Sequence, residues 1–379
     1  MEDNVKVKKY IDCIVPIHSC TLRCSYCYLP KQNENFSNEL PKFSYPPEHI
    51  IRALSKKRLG GVCLINFCGR GETLLPPEMA DIIKGLAKEG HYITIVTNGT
   101  VSKRFEQIID MPRECCERVF FKFSYHYLEL KRLNLLDTFF ANIRMVKEAG
   151  CAITLEIGAD DAYIPYLEEI KKVSVENTGA LPHVVVLRDD SKAEIPILTK
   201  LEKEDYLKVW SQFDSRLFDF QTKIYNQKRR EFCYGGLWSA VLELATGRLS
   251  QCYAGNFIQN IFEDINSKIK FSPIGAHCRE PHCYNAHMFM IFGLIPELKT
   301  YTYMELRNRV CDDGSEWLSP AMKKVFSQKL CDNNRKYGWF GKMLFEISLK
   351  DILQCFFSIK NENNHKVLCF AGIKIKFRR

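Results

Sequence analysis

Cys20, Cys24 and Cys27 stand in the order Cys-x3-Cys-x2-Cys within the stretch His18-Ser-Cys-Thr-Leu-Arg-Cys-Ser-Tyr-Cys-Tyr28, just past the apolar run Ile11 to Ile17. Three thiolates so close can hold three irons of a 4Fe-4S cluster and leave the fourth iron open. An open iron can bind and activate a substrate or cofactor, whereas a fourth cysteine would make an electron carrier. Structural zinc takes cysteines in Cys-x2-Cys pairs, a form the triple lacks. The chain carries 17 cysteines, and Cys63, Cys115, Cys116, Cys151, Cys355 and Cys369 lie in apolar surroundings where packing explains them.

A second group begins at Cys233, in Phe232-Cys-Tyr-Gly-Gly-Leu-Trp-Ser239, and continues at Cys252 after a Thr246-Gly247 turn. The apolar residues from Ala240 to Leu244, the turn and the returning segment read as a β-hairpin. Cys278 and Cys283 follow, giving four soft ligands in two pairs, which suit one 4Fe-4S cluster or one zinc.

A length of 379 residues exceeds a usual single core and predicts two or three domains. The odd cysteine count and the charged start, without a secretory segment, argue against a disulfide framework and for a reducing, cytoplasmic setting. The longest apolar candidate for a membrane span, Met288 to Ile295, is too short and contains Gly293. The net charge of +9 gathers at Lys56 to Arg58, Lys228 to Arg230 and Lys374 to Arg379. These runs are short, scattered and without interleaved aromatics, so no nucleic-acid partner is expected; solvated faces, a phosphate-bearing substrate or an anionic membrane surface fit better.

The elements that must position these cysteines form an α/β alternation. Strands are predicted at Tyr10 to Pro16, Val62 to Cys68, Tyr92 to Thr97, Val119 to Ser124, Ala152 to Ile157 and His183 to Leu187. Helices are predicted at Pro47 to Arg58, Pro77 to Glu89, Val101 to Ile109, Leu136 to Ala149, Ile164 to Val175 and Lys203 to Arg216. Chemistry in such folds collects where strands end. The first four strands are followed by the cysteine triple, by Cys68-Gly-Arg-Gly-Glu-Thr73, by Thr97-Asn-Gly99 and by Ser124-Tyr-His126.

With these residues in place the chain resembles the radical S-adenosylmethionine (radical SAM) superfamily, whose Cys-x3-Cys-x-aromatic-Cys motif has Tyr26 here at the aromatic position. The resemblance implies a partial (β/α)6 barrel over residues 1–225 and a cluster on Cys20, Cys24 and Cys27 whose open iron takes SAM. One electron then yields methionine and a 5'-deoxyadenosyl radical that removes a hydrogen atom from substrate. Gly69, Gly71 and Glu72 are similar to the family's glycine-glycine-glutamate motif for the SAM amino group, with Arg70 between the glycines and Thr73 where proline is frequent. Asn98 and Ser124 are implied for the ribose and carboxylate, and the backbone from Val185 to Leu187, with Arg188, for the adenine. Catalytic candidates are Cys68, His126 and Asp160, with Cys13 a second thiol able to quench a radical and Glu156 and Asp161 further bases or clamps.

The second cysteine group resembles a Twitch or SPASM extension, expected at 226–290 as a small β-hairpin-plus-helix domain with one auxiliary 4Fe-4S cluster on Cys233, Cys252, Cys278 and Cys283. His277, His282, His287 and Cys311 are substitute ligands on this reading. An α+β C-terminal extension is expected at 291–379, with Pro320 to Leu330 helical and a basic strand at Ile373 to Arg378. Its tail looks like those of bacterial enzymes of surface polysaccharide assembly, and its cations suit a peripheral membrane contact. The expected substrate is a small molecule or glycan precursor undergoing dehydrogenation or epimerisation. A ribosomal peptide cross-linked or epimerised is the alternative, and a non-catalytic iron-sulfur electron carrier a third reading. Only nine residues precede Tyr10, so no N-terminal peptide-reading domain is expected. A flavodoxin- or ferredoxin-type protein is the implied electron donor.

Overall fold

The computed structural model describes residues 5–27, 36–253, 255–276, 278–283, 290–346, 357–362, 365–370 and 373–378. Six parallel strands, β1 (Lys9–Val15), β2 (Cys63–Gly69), β3 (Tyr92–Thr97), β4 (Val119–Ser124), β5 (Ala152–Gly158) and β6 (His183–Val185), lie side by side in chain order. Their near-continuous apolar runs fit burial on both faces, as a parallel sheet with helices outside requires. The sheet stays open at its β6 edge, so the architecture is the expected partial barrel.

Each crossover carries helix. In Glu78–Glu89 the buried Met79, Ile82, Ile83 and Leu86 form one stripe against the sheet, and Gly90, at φ +96°, ends the helix in the left-handed conformation. Three predicted helices are each divided, for local reasons. Pro47–Ala53 stops before Lys56–Leu59 because the carbonyls of Ala53 and Leu54 accept from Arg58 Nη1 and His91 Nε2. The helix expected from Ile164 begins as a 3-10 turn at Asp161–Tyr166 containing Pro165 and becomes α-helical at Leu167–Thr178. Beyond Lys203–Ser211, Asp214 at φ +45° turns the chain and Ser215 caps a new helix, Arg216–Ile224.

The hairpin forms where expected, as β7 (Ser239–Glu243) and β8 (Arg248–Ser250), with Glu243 opposite Arg248 and Gly247 at φ +85°. It is not detached from the barrel: β7 pairs in parallel with β1, Asp12 opposite Val241, and β9 (Phe257–Asn260) extends the same sheet. The barrel's other end is plugged. Tyr10, Leu64, Tyr92, Phe120 and Ala152, on the inner face near the strands' amino ends, pack with Phe292, Tyr303 and Phe326. Ring centroids stand 5.0 Å apart for both Tyr10–Phe292 and Phe120–Phe326. The helix expected at Pro320 to Leu330 ends at Phe326, and shorter helices follow at Leu330–Asn333 and Trp339–Glu346; β10 (Phe357–Glu362), β11 (His365–Phe370) and β12 (Ile373–Arg378) form an antiparallel sheet with the basic segment at its edge. No described helix is long and apolar enough to cross a membrane.

Candidate functional site

The carboxyl ends of the parallel strands enclose a cavity of about 350 Å³. Its walls include Cys20, Cys24, Tyr26 and Cys27 from the loop after β1, and Cys68, Gly69, Gly71 and Glu72 at the end of β2. Asn98, Ser124, His126, Val185 to Leu187 and Arg188 also line it. Residues spread over 169 positions thus meet on one surface, because each follows a strand of one parallel sheet.

The loop after β2 holds the cysteine loop by main-chain contacts. Glu72 N donates to Ser19 O at 2.9 Å, and Gly71 N to Ile17 O at 2.5 Å. A Cβ at Gly71 would lie 2.0 Å from Ser19 O, so glycine here serves the approach of two protein loops. Thr73, where the family pattern favours proline, has its own role: its Oγ1 accepts from Gly69 N at 2.7 Å and closes the loop on itself. Glu72, 2% exposed, accepts from Thr97 Oγ1 at 2.6 Å, Asn98 N at 2.7 Å and Leu74 N at 3.0 Å. Burial raises its carboxyl above the usual range, and these three donors pull it back.

Asn98 donates from Nδ2 to Thr21 Oγ1 at 2.8 Å and to Cys20 Sγ at 3.5 Å. Tyr26 Oη is shared between His126 Nδ1 at 2.7 Å and Tyr163 Oη at 2.8 Å. Burial lowers the His126 pKa to about 4, so the ring is neutral at pH 7 and serves as the tyrosine's partner. Tyr163, from the 3-10 turn, carried no sequence signal beyond its aromatic type.

The other candidates divide. Cys68 lines the cavity, and burial, reinforced by Asp12, pushes its thiol up to about 12, so it keeps its proton. Cys13 is fully buried on the helix-facing side and does not reach the cavity, because alternate residues of β1 face opposite ways. Asp160 is also not among the cavity's lining; its carboxylate caps the 3-10 turn by accepting from Ala162 N. Asp161 accepts from Thr199 Oγ1 and Lys200 N, both at 2.7 Å. Arg188 reaches the cavity and also pairs with Asp190 at 2.9 Å. Glu156 lies inside the barrel, bonded to Arg307 and 3.9 Å from Lys122.

Three thiols on one wall suit an iron-sulfur cluster. Cys24 is raised mainly by burial and then by Cys20 and Cys27, and Cys20 accepts N–H bonds of the kind that steady a thiolate. Protons held this firmly leave when metal binds. Among the described residues no three His, Cys, Asp or Glu side chains converge on a single ion. A cluster does not need them to, because its thiolates bind separate irons and stand farther apart than the about 3.8 Å expected around one tetrahedral zinc.

Residues 14–159 match the family model of the Radical SAM superfamily. They are a radical SAM domain. The cofactors of this domain are a 4Fe-4S cluster and SAM. No curated protein matches the chain. Among solved structures it is similar to SuiB of Streptococcus suis bound to S-adenosylmethionine, at 15% identity over 69% of this chain and 65% of that one, TM-score 0.47. It is also similar to anSMEcpe with bound AdoMet, at 16% identity over 84% and 96%, TM-score 0.44. BtrN in complex with AdoMet and 2-DOIA matches at 14% identity over 79% and 95%, TM-score 0.38. The chain thus spans 65% of the length of the SuiB chain.

Beside the radical SAM domain, Cys233, Cys252 and Cys278 each act electrostatically on Cys283, whose thiol is raised first by burial and then by these three. Cys233 is fixed by paired main-chain bonds to Gly275, both 3.0 Å. His282, next to Cys283, packs against Tyr225 with ring centroids 4.6 Å apart and planes tilted by 47°. Cys311 is not with this group: it is buried against Gly179 and donates to Thr178 O, which removes it as a substitute ligand. His277 and His287 lie outside the described residues. Sequence reasoning missed Tyr253, beside Cys252, which donates to Asp12 on β1 although the residue as a whole is 41% exposed. The signal was present, since Asp12 is the lone charge in the apolar run from Tyr10 to Val15.

Proposed function

We propose that this chain is a radical SAM enzyme that removes a hydrogen atom from a sugar or glycan precursor, for dehydrogenation or epimerisation. The observation that carries this reading is the cavity that brings Cys20, Cys24 and Cys27 onto one surface with Glu72, Asn98, Ser124 and Arg188. The bound cofactors supply one-electron cleavage of SAM to methionine and a 5'-deoxyadenosyl radical.

The protein's own part is positional. Glu72 ties the loops after β2 and β3 together, and Asn98 steadies Cys20. Tyr26, braced by His126 and Tyr163, holds the segment between Cys24 and Cys27. Cys68, protonated and facing the cavity, is the thiol placed to return a hydrogen atom where the outcome is redox-neutral. Cys233, Cys252, Cys278 and Cys283 would hold an auxiliary 4Fe-4S cluster able to accept an electron where the outcome is oxidation.

The test is anaerobic reconstitution with iron, sulfide, SAM and dithionite, followed by chromatographic detection of 5'-deoxyadenosine. Formation by the wild type and its loss in Cys24→Ala is the expected pair of results; formation by both variants sinks the assignment. Cys283→Ser should lower bound iron by up to about four per chain. Cys311→Ser should leave it unchanged, and zinc in place of the second set of irons would overturn the auxiliary cluster.

A further inference from the structure

The barrel interior beneath the cavity holds a group of donors that the proposed chemistry has not used. Lys122 on β4 stands in register beside Val96, which lines the cavity, and Glu156 on β5 stands beside the cavity-lining Ser124. Lys122 is 8% exposed, and its ion pair to Glu156 is long, at 3.9 Å. Arg307 enters from the far end of the chain, is fully buried, and binds the same Glu156 oxygen through Nη1. Both cations therefore meet the same oxygen of Glu156.

The remaining polar atoms make the surplus clearer. Arg307 Nε and Nη2 have no hydrogen-bond partner among the described residues, and neither does the hydroxyl of Thr154, which sits opposite Lys122 in the register. The ring of Tyr303 lies under the Arg307 guanidinium at 5.1 Å, which shields the charge from water without giving its N–H groups an acceptor. Asp12 also feels the Lys122 charge, but its oxygens are already taken. Asp12 is engaged by Tyr253 and by Asn66 Nδ2 at 2.8 Å, and Asp190 by Arg188. Buried cations with unmet donors call for an acceptor of opposite charge.

We propose that Lys122 and Arg307, just beneath the residues that line the cavity, form an oxyanion subsite that takes a carboxylate or phosphate of the substrate. This rests on the reading of the cavity as the SAM and substrate chamber, and it narrows the substrate to an acidic molecule. Arg307 is the planar, two-pronged partner and Lys122 the point charge, a combination that suits either oxyanion.

The test uses cluster-loaded, SAM-bound protein and three probes of one carbon skeleton: glycerol, glycerate and glycerol 3-phosphate. Calorimetric titration is expected to show at least one acidic probe binding about tenfold or more tightly than glycerol, and Lys122→Met abolishing that difference. The stronger of the two acidic probes identifies carboxylate or phosphate. Arg307→Met should act likewise; if it does not fold, Lys122→Met decides alone. Equal binding of all three probes, or an acid preference that survives Lys122→Met, overturns the subsite. Iron content and bound SAM are measured first. Loaded protein without an acid preference overturns this inference only, whereas protein that loads neither cofactor overturns the proposed function with it.

Discussion

Gly71 and Ser19 touch backbone to backbone: a Cβ on Gly71 would stand 2.0 Å from the Ser19 carbonyl oxygen, one residue before Cys20. No side-chain rotation relieves such a contact, so Gly71→Ala must push the cysteine loop away. In a Cys252→Ala background, where the cluster on the first triple is counted alone, Gly71→Ala should lose most of its bound iron. Gly338→Ala, with nothing within 4 Å of the added carbon, should keep it. Equal iron in the two variants would falsify this account of the loop.

Glu72 joins two loops through three accepted hydrogen bonds. Glu72→Gln sets an amide N–H against the N–H of Asn98 or against its other donors, whichever way the amide turns. Leaving one buried donor unmet costs about 1–3 kcal/mol. Urea unfolding should show a loss of that size, together with weaker SAM binding in equilibrium dialysis. An unchanged urea midpoint would mean that the carboxylate is not the tie between β2 and β3.

His91 gives the fold a pH dependence away from the cavity. Cys63 N donates to its Nδ1 and its Nε2 donates to Leu54 O, both at 3.0 Å, so the neutral ring is the form that fits. Burial lowers its pKa from 6.5 to about 4. Between those values the unfolded chain binds the extra proton, so stability is fully present above pH 6.5 and falls as pH drops toward 4. His126 shifts in the same direction, so His91→Gln should make the melting-temperature slope across this window shallower without flattening it. A slope as steep as in the wild type would remove His91 from the explanation.

Much of the barrel was legible because its signals are local. A run such as Val-Phe-Phe-Lys-Phe-Ser is strand-like wherever it stands, and predicted strands match β1 to β6 to within two residues at either end. The divided helices were less legible, since the break after Ala53 depends on Arg58 and on His91, which arrives from beyond another strand. The Cys13 and Cys68 thiols looked alike in sequence. Strand alternation sent one to the helix-packed side and the other to the cavity.

By itself the sequence determined the cysteine spacing, the alternation of strand and helix, and the residues that follow each strand, because spacing and periodicity are properties of neighbours. Only the tertiary structure decided what those residues touch. Gly71 serves Ser19, Tyr26 leans on His126 and Tyr163, and Arg307 crosses 151 positions to reach Glu156. Such contacts depend on strand register and on how the segment after Met290 closes the barrel. Neither leaves a periodic trace in the chain.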